Sequence, residues 1–425
     1  MFLGFFKLNT NENLLTRKNA AIVFFVFASA YFISTLIRAI TATLSPTLSV
    51  EFQLEARDLG LLAGGYFLGF SIMQLPNGYW LDKHGPKKVI LYLLCIGVVS
   101  CLVFSISNNF ISLLLSRIFI GIGVSACLMA PLTGYRRWFA ANMQQRANAW
   151  MLMTGALGML ASTLPVQWLL PVIGWRYVFV ILAILLIISF IIIAFFSPSW
   201  SDKEVEIIEN SNSKVGFFSG YLEIWKNPYF RSLVPLGFFN YGGLMAIQTL
   251  WAGPWMTKVS GYSALQSATG LFWLNFSMLI TFWLWGLINP YILKKGISAD
   301  KIIILGMPSS LIILLLTVYS GSNAGALHWT LFCVCSVFIS LTHPAIGLAF
   351  PNNIAGRALS SYNLVIFFGV FIVQWGIGII VDIIKLFGHN EILAFQGAFL
   401  IFFICCTAAY IYFLIHKSDR IKNKS

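Results

Sequence analysis

The sequence predicts an all-α membrane protein of twelve transmembrane helices, arranged as two pseudo-symmetric six-helix bundles. Three observations carry that reading. The chain of 425 residues is 59% hydrophobic and only 10% charged, with a mean hydropathy of +0.84, whereas a soluble fold carries about 25% charged residues. Its apolar residues come in blocks of about twenty, the length that crosses a bilayer as a helix. The blocks fall into two sets of six on either side of one long hydrophilic stretch.

In chain order, residues 1–19 are polar after a short apolar start and lack a small-residue cleavage signal, so they read as a cytoplasmic tail that can lie on the membrane surface and not as a signal peptide. The N-terminal bundle, 20–196, holds spans near 20–44, 59–81, 89–107, 110–133, 147–170 and 175–196, each bounded by short polar segments. Residues 197–231 form a cytoplasmic linker containing Asp202, Glu204, Glu206 and Glu209. Its part 215–230 mixes Phe217, Phe218, Tyr221, Leu222, Ile224 and Trp225 with Glu223 and Lys226, the composition of an interfacial amphipathic helix or of a merely sticky loop. The C-terminal bundle, 232–416, holds spans near 233–256, 265–288, 302–320, 326–348, 359–383 and 392–415, and residues 417–425 are a second cytoplasmic tail.

Lys and Arg outnumber Asp and Glu by 27 to 14. In a soluble chain that excess would suggest a nucleic-acid partner. Here the charges sit between apolar blocks, so the expected partner is the lipid bilayer, with no nucleic acid. With the N-terminus cytoplasmic, 21 cations fall on the inner side and only Arg57, Arg176, Lys258 and Lys385 on the outer, leaving Arg38 and Arg117 within spans. The bias of Lys and Arg toward cytoplasmic loops then places both termini inside. Nothing resembles an organelle-targeting leader, which points to a bacterial inner membrane. All seven cysteines lie in apolar blocks without paired histidines, so neither a disulfide framework, a metal site nor a cofactor is expected.

The halves repeat. Gly85, in Lys83-His84-Gly85-Pro86-Lys87-Lys88, lies 61 residues before Arg146, and Gly296, in Lys294-Lys295-Gly296, lies 61 residues before Arg357. The offset of 211 describes a duplicated six-helix unit, and parallel repeats of that kind place a solute path between the halves near the bilayer midplane.

The loop Gly78-Tyr79-Trp80-Leu81-Asp82-Lys83-His84-Gly85-Pro86-Lys87-Lys88 resembles the G-x-x-x-D-[RK]-x-G-[RK]-[RK] loop of the major facilitator superfamily. A second match, Leu113 to Gly123 around Arg117, is similar to that family's L-x-x-x-R-x-x-x-G-x-G pattern. Gly174-Trp175-Arg176-x-x-Phe179 is a weaker match, read as an interfacial anchor. The resemblance implies that Gly78, Asp82, Gly85, Lys87 and Lys88 form a cytoplasmic latch. For Arg117 it implies coupling or anion binding, beside which a purely interhelical hydrogen-bonding role stays open. Two departures matter. The fifth span has Gly155, Gly158 and Pro165 but not the Gly-Pro pair of drug/proton antiporters, and the second-half loop keeps Lys294, Lys295 and Gly296 without an Asp.

No acidic residue lies deep in a span, whereas Arg38, Arg117 and His343 do. The resemblance implies that the first, fourth, seventh and tenth helices line the cavity, so the cavity carries positive potential suited to a small anion. Arg38 could instead snorkel outward, and His343 could be a neutral packing residue. Asn240, Tyr241, Gln248, Asn275, Tyr362, Asn363 and Gln374 are candidates to orient the solute, or to join helices. Trp251, Trp255, Trp273 and Trp375 could wall the cavity, and Gly65 and Gly69 suit helices that rock or that pack statically.

The leading expectation is a monomeric secondary transporter that imports a small anionic solute, with protons or by facilitated diffusion. Proton-driven export of a drug or metabolite is the alternative. A non-transporting sensor would want a soluble output domain, and an enzyme buried His/Asp/Glu clusters; neither pattern occurs. No G-x-x-x-x-G-K-[ST] loop is present, so ATP is not expected as the direct energy source.

Overall fold

The computed structural model describes residues 14–198 and 219–416, and among these the only regular secondary structure is helix, with no strand. A helix satisfies its backbone polar groups internally, which hydrocarbon demands. Most of the predicted N-terminal tail, linker residues 199–218 with their four acids and Phe217 and Phe218, and the C-terminal tail from Lys417 lie outside the described residues.

Nine helices are long and apolar enough to cross a membrane among the described residues. The predicted second, fifth and seventh spans, on which the tally of twelve depends, are built from shorter or more polar pieces. The first span is Arg17–Glu51, capped by Thr16, whose hydroxyl accepts from Asn19 N. The second begins at Ala56–Ile72 behind a capping box of Glu55 and Asp58, breaks at Met73 and continues into Gln74–Ile106, whose later part is the third span. The fourth, Phe110–Trp138, is interrupted at Val124 and Ser125. The fifth is Ala141–Ala161 plus the start of Leu164–Phe196, and the rest of that helix is the sixth.

In the second half the seventh span runs from Pro228–Pro235 through two π-helical turns, Leu236–Tyr241 and Ile247–Trp251, to Ala252–Lys258. Ala264–Lys294 and Ala299–Ser320 are the eighth and ninth. The tenth, Ala326–Ala349, contains a 3-10 stretch at Val337–Leu341 immediately before His343. Asn352–Leu386 and Glu391–Ile415 complete the bundle. Irregular turns therefore concentrate in the fourth, seventh and tenth helices. Inside a membrane such breaks are tolerated where they line a cavity or are buried in protein.

The repeat has a backbone signature. Gly85 and Gly296, 211 residues apart, both have φ of 76°, and Gly174 and Gly388 have φ of 74° and 86°. A positive φ is cheap for glycine alone, so each half reverses direction on glycine at matching places. On the outside of the bundle Ile184, Ile187, Ile188 and Ile191 of the sixth span, at helical spacing, are 38–50% exposed; an apolar stripe left bare in this way is a wall for lipid. The amphipathic segment is helical over Ser219–Lys226. It buries Tyr221 and Ile224 while Leu222 and Trp225 stay exposed.

Candidate functional site

Arg38 sits about two-thirds of the way along the first span and is only 7% exposed. It does not snorkel. Its guanidinium carbon lies 5.1 Å from the ring centroid of Phe70 in the second span and 5.5 Å from that of Phe367 in the eleventh, so rings from opposite bundles clasp it. The phenols of Tyr31 and Tyr66 face it from its own half, and Tyr241 of the seventh span comes within electrostatic reach of both Arg38 and Tyr31. Arg38 Nε has no hydrogen-bond partner, and among the described residues no carboxylate lies within 4.0 Å of the group. A buried guanidinium costs about 2.5–3.5 kcal/mol at the middle of a span, and two aromatic faces return about 0.5–2 kcal/mol each. The aromatic faces thus offset part of the cost of burying this charge.

Beside it, His343 Nε2 meets Asn363 Oδ1 at 2.7 Å, and the imidazole packs edge-on against Tyr241 at 5.3 Å and Tyr362 at 5.5 Å. His343, Asn363, Tyr241 and Phe367 are only partly buried, although they point into the protein. Tyr241, packed on His343 and within electrostatic reach of Arg38, links the two groups.

Arg117 occupies a different place. At 1% exposure, its Nη1 donates to the Ile37 carbonyl at 3.2 Å and its Nη2 to Thr41 Oγ1 at 2.5 Å, with Tyr66 and Phe104 rings about it at 5.5 and 6.0 Å. All of these belong to the N-terminal bundle. Arg117 is thus a strut behind the turn that carries Arg38, and the geometry favours the interhelical role over direct anion binding. Each hydrogen bond from a charged donor contributes about 1.5–3 kcal/mol. Arg117→Gln, which keeps one at most, is expected to destabilise the detergent-solubilised protein by roughly 2 kcal/mol with or without solute. An unchanged Tm would show that the strut carries no load.

Most of the predicted solute-orienting amides join helices. Asn240 Nδ2 donates to the Cys406 carbonyl, Gln248 Nε2 to Asn275 Oδ1, Asn275 Nδ2 to the Leu271 carbonyl, and Gln374 Nε2 to Thr249 Oγ1 at 3.0 Å. Tyr362 is fully buried. Of the seven candidates Tyr241, Tyr362 and Asn363 join the cluster around His343. Trp251 and Trp255 are sealed in the C-terminal bundle and donate to the Gln374 and Ala324 carbonyls, while Trp273 is 55% exposed. Trp375 stacks on Phe371. Trp175, matched as an interfacial anchor, is instead buried, and it and Arg176 both bind Glu51 at 2.6 Å.

At the predicted latch, the field at Asp82 is set by Arg137, Arg357 and Arg136, so the second span's end faces both its own bundle and the start of the eleventh helix. Lys87 Nζ donates to the Ser197 carbonyl at 2.9 Å. This puts a cation at the C-terminus of the sixth helix, where its dipole is negative, and ties Lys87 to its own half. Lys88 is exposed. Gly78 leaves slack, since a Cβ there would meet only Ser360 Oγ, at 3.7 Å.

At the other end of the molecule, the outer one by the charge rule, the bundles touch backbone to backbone. A Cβ at Gly60 would lie 2.3 Å from the Gln374 carbonyl oxygen, one at Gly378 2.3 Å from that of Ala56, and one at Gly253 2.8 Å from that of Ala42. Gly65 and Gly69 pack against the fourth span in their own half. The seam is closed by Asp382, whose carboxylate accepts from the backbone amides of Ala56 at 3.2 Å and Arg57 at 2.8 Å. An acid of the eleventh helix thus caps the first turn of the second. Tyr31 lies seven residues, about two helical turns, before Arg38 and could have been read from that spacing; Phe70, Phe367, Gly60 and the role of Asp382 had no local signal.

The sequence model described as Major Facilitator Superfamily matches residues 27–374. Among curated relatives, the probable sulfoacetate transporter SauU of Cupriavidus necator is 22% identical over 344 residues, 78% of this chain and 79% of that protein. The probable galactarate/D-glucarate transporter GarP of Escherichia coli K12 is 23% identical over 406 residues, 87% of this chain and 89% of that one. Among solved structures, an inward-facing, unoccupied bacterial homologue of the human lysosomal transporter Spinster superimposes with a TM-score of 0.73 at 16% identity, over 96% of this chain and 98% of that one. A D-xylose–proton symporter does so with 0.74 at 14% identity, over 93% and 97%. These last two likenesses are of fold.

Proposed function

Because the chain belongs to the Major Facilitator Superfamily, and is thereby a multi-pass membrane transporter, we propose that it carries a small organic anion inward across a bacterial inner membrane by alternating access of its two bundles. One observation carries this reading: Arg38, buried between the bundles without a carboxylate. The relatives named above are transporters of acid anions by their descriptions, which supports the same class of cargo here.

Electrostatics bears on coupling. Moving one negative charge into a compartment held 100 mV negative costs about 2.3 kcal/mol, so an anion carried alone would be held back about fiftyfold. One accompanying proton removes that penalty. With no carboxylate within 4.0 Å of Arg38 among the described residues, His343 is the side chain of the cluster whose ordinary titration lies near neutrality, unlike the phenols around it, and we assign the proton to its imidazole, with Asn363 as its hydrogen-bond partner. The cycle then alternates between the outer seam, clasped by Asp382, and an inner latch in which Asp82 faces the arginines of both bundles. His343→Gln should leave anion exchange at equal pH on both sides intact while abolishing its acceleration by an imposed pH difference.

The purified protein in liposomes tests the whole reading. Uptake of organic anions should exceed that of neutral analogues of the same size and should rise when the outside is made more acidic. A preference for neutral or cationic solutes would overturn the anionic assignment, and indifference to the pH difference would overturn the coupling.

A further inference from the structure

On the reading that Arg38 receives an anion, the surroundings of the guanidinium also define the body that anion has. We infer that the cargo is an anion with a planar, apolar frame, an aromatic carboxylate or sulfonate, and not a polyhydroxylated sugar acid. Three independent features of the site lead there. First, one guanidinium faces the cargo, since Arg117 donates to Ile37 and Thr41, and the proton assigned to His343 is the other positive charge of the cluster; the charge holds the acidic group and the rest of the cargo meets the walls.

Second, a sugar acid presents four or five hydroxyls that each lose water on entry and need a partner, because buried polar groups left unpaired are costly. The amides that could serve each already hold a partner within the protein, Asn240 Nδ2 at Cys406, Gln248 Nε2 at Asn275, Gln374 Nε2 at Thr249 and Asn363 Oδ1 at His343, with Gln374 Oε1 left open. What stays free is mainly phenol and ring surface. Third, the walls are flat. Phe70 and Phe367 clasp the cation with their rings 4.5 Å apart, edge to face, and Tyr241 and Tyr362 stand edge-on to His343. Offset and edge-to-face contacts are the arrangements an additional aromatic ring completes, and the same rings offer a polyol only dehydration. Phe70 and Phe367 come from different bundles, so a ring packed against the pair would touch both halves at once, which is what a carrier needs for its cargo to report its presence to both.

The test uses the full chain, purified in detergent and in liposomes, with four probes: benzoate, the membrane-impermeant benzenesulfonate, gluconate and propionate. Benzoate and benzenesulfonate should raise the Tm and compete with each other, and benzenesulfonate should be taken up. Gluconate and propionate should bind at least tenfold more weakly. Phe367→Leu, which keeps the apolar volume but removes the ring, should weaken benzenesulfonate tenfold or more while changing propionate by less than threefold. Gluconate binding as tightly as benzoate, or propionate matching it, would overturn the aromatic inference and leave the anionic transporter standing. If none of the four binds and a neutral solute does, the inference and the reading beneath it fail together.

Discussion

Arg38→Gln is expected to abolish anion transport while leaving the empty protein as stable as before, or more so. In the unloaded site the guanidinium is a buried charge with an unpartnered Nε, held by the faces of Phe70 and Phe367 and by the phenols of Tyr31 and Tyr66. Removing it relieves a desolvation cost that the two cation–π contacts only partly offset. In the loaded site the balance reverses, because an anion that enters and finds no cation is itself an unpaired buried charge, a loss of about 3–5 kcal/mol. At about 1.4 kcal/mol per decade that weakens anion binding more than a hundredfold. The signature is therefore double: Tm of the empty protein unchanged or raised, and the rise in Tm on adding anion lost. Arg38→Lys keeps the charge but loses the flat cation that stacks between Phe70 and Phe367, and should retain part of the affinity. A drop in Tm of the empty protein, with anion affinity preserved, would show Arg38 to be a structural residue like Arg117.

The contrast between the two arginines shows how far a sequence reaches. Hydropathy sees depth, and both guanidiniums lie deep. It cannot see azimuth, which decides that Arg117 turns to the carbonyl of Ile37 while Arg38 turns to the space between bundles. The spans, the reversal loops at Gly85 and Gly296, and the candidacy of Arg38 and His343 were legible because length, charge and glycine are local properties. The amides of the seventh span were not. Its two π turns, at 236–241 and 247–251, each insert an extra residue and rotate the remainder of the helix by about 100°, so a face extrapolated at 3.6 residues per turn is wrong by the time it reaches Asn240 and Gln248. Phe70 and Phe367 meet across 297 positions of sequence, and Asp382 looked like an ordinary loop acid beside the end of a span. Such contacts exist only once the halves have docked.

Because the docking is reversible in a carrier, Asp382 and Gly60 should control which end opens. The Asp382 carboxylate accepts two backbone amides at the N-terminus of the second span, where the helix dipole adds to the hydrogen bonds. Taken together the clasp contributes about 2–4 kcal/mol to the state closed at the outer end. Asp382→Ala should thus move the ratio of outer-open to outer-closed molecules toward open by ten- to several-hundredfold. Gly60→Leu acts on the same seam by bulk, since its Cβ alone would stand 2.3 Å from the Gln374 carbonyl oxygen and backbone cannot step aside. Spin labels on the exposed rim positions Val50 and Phe387 should report a longer outer distance in both variants, with solute flux down at least tenfold and anion binding retained. Asp82→Asn should act in the opposite sense, loosening the inner end and leaving the rim labels close together. If Asp382→Ala left the rim distance unchanged, the carboxylate would be no more than a helix cap, and the tight glycine contacts at Gly60, Gly253 and Gly378 would have to hold the outer end shut unaided.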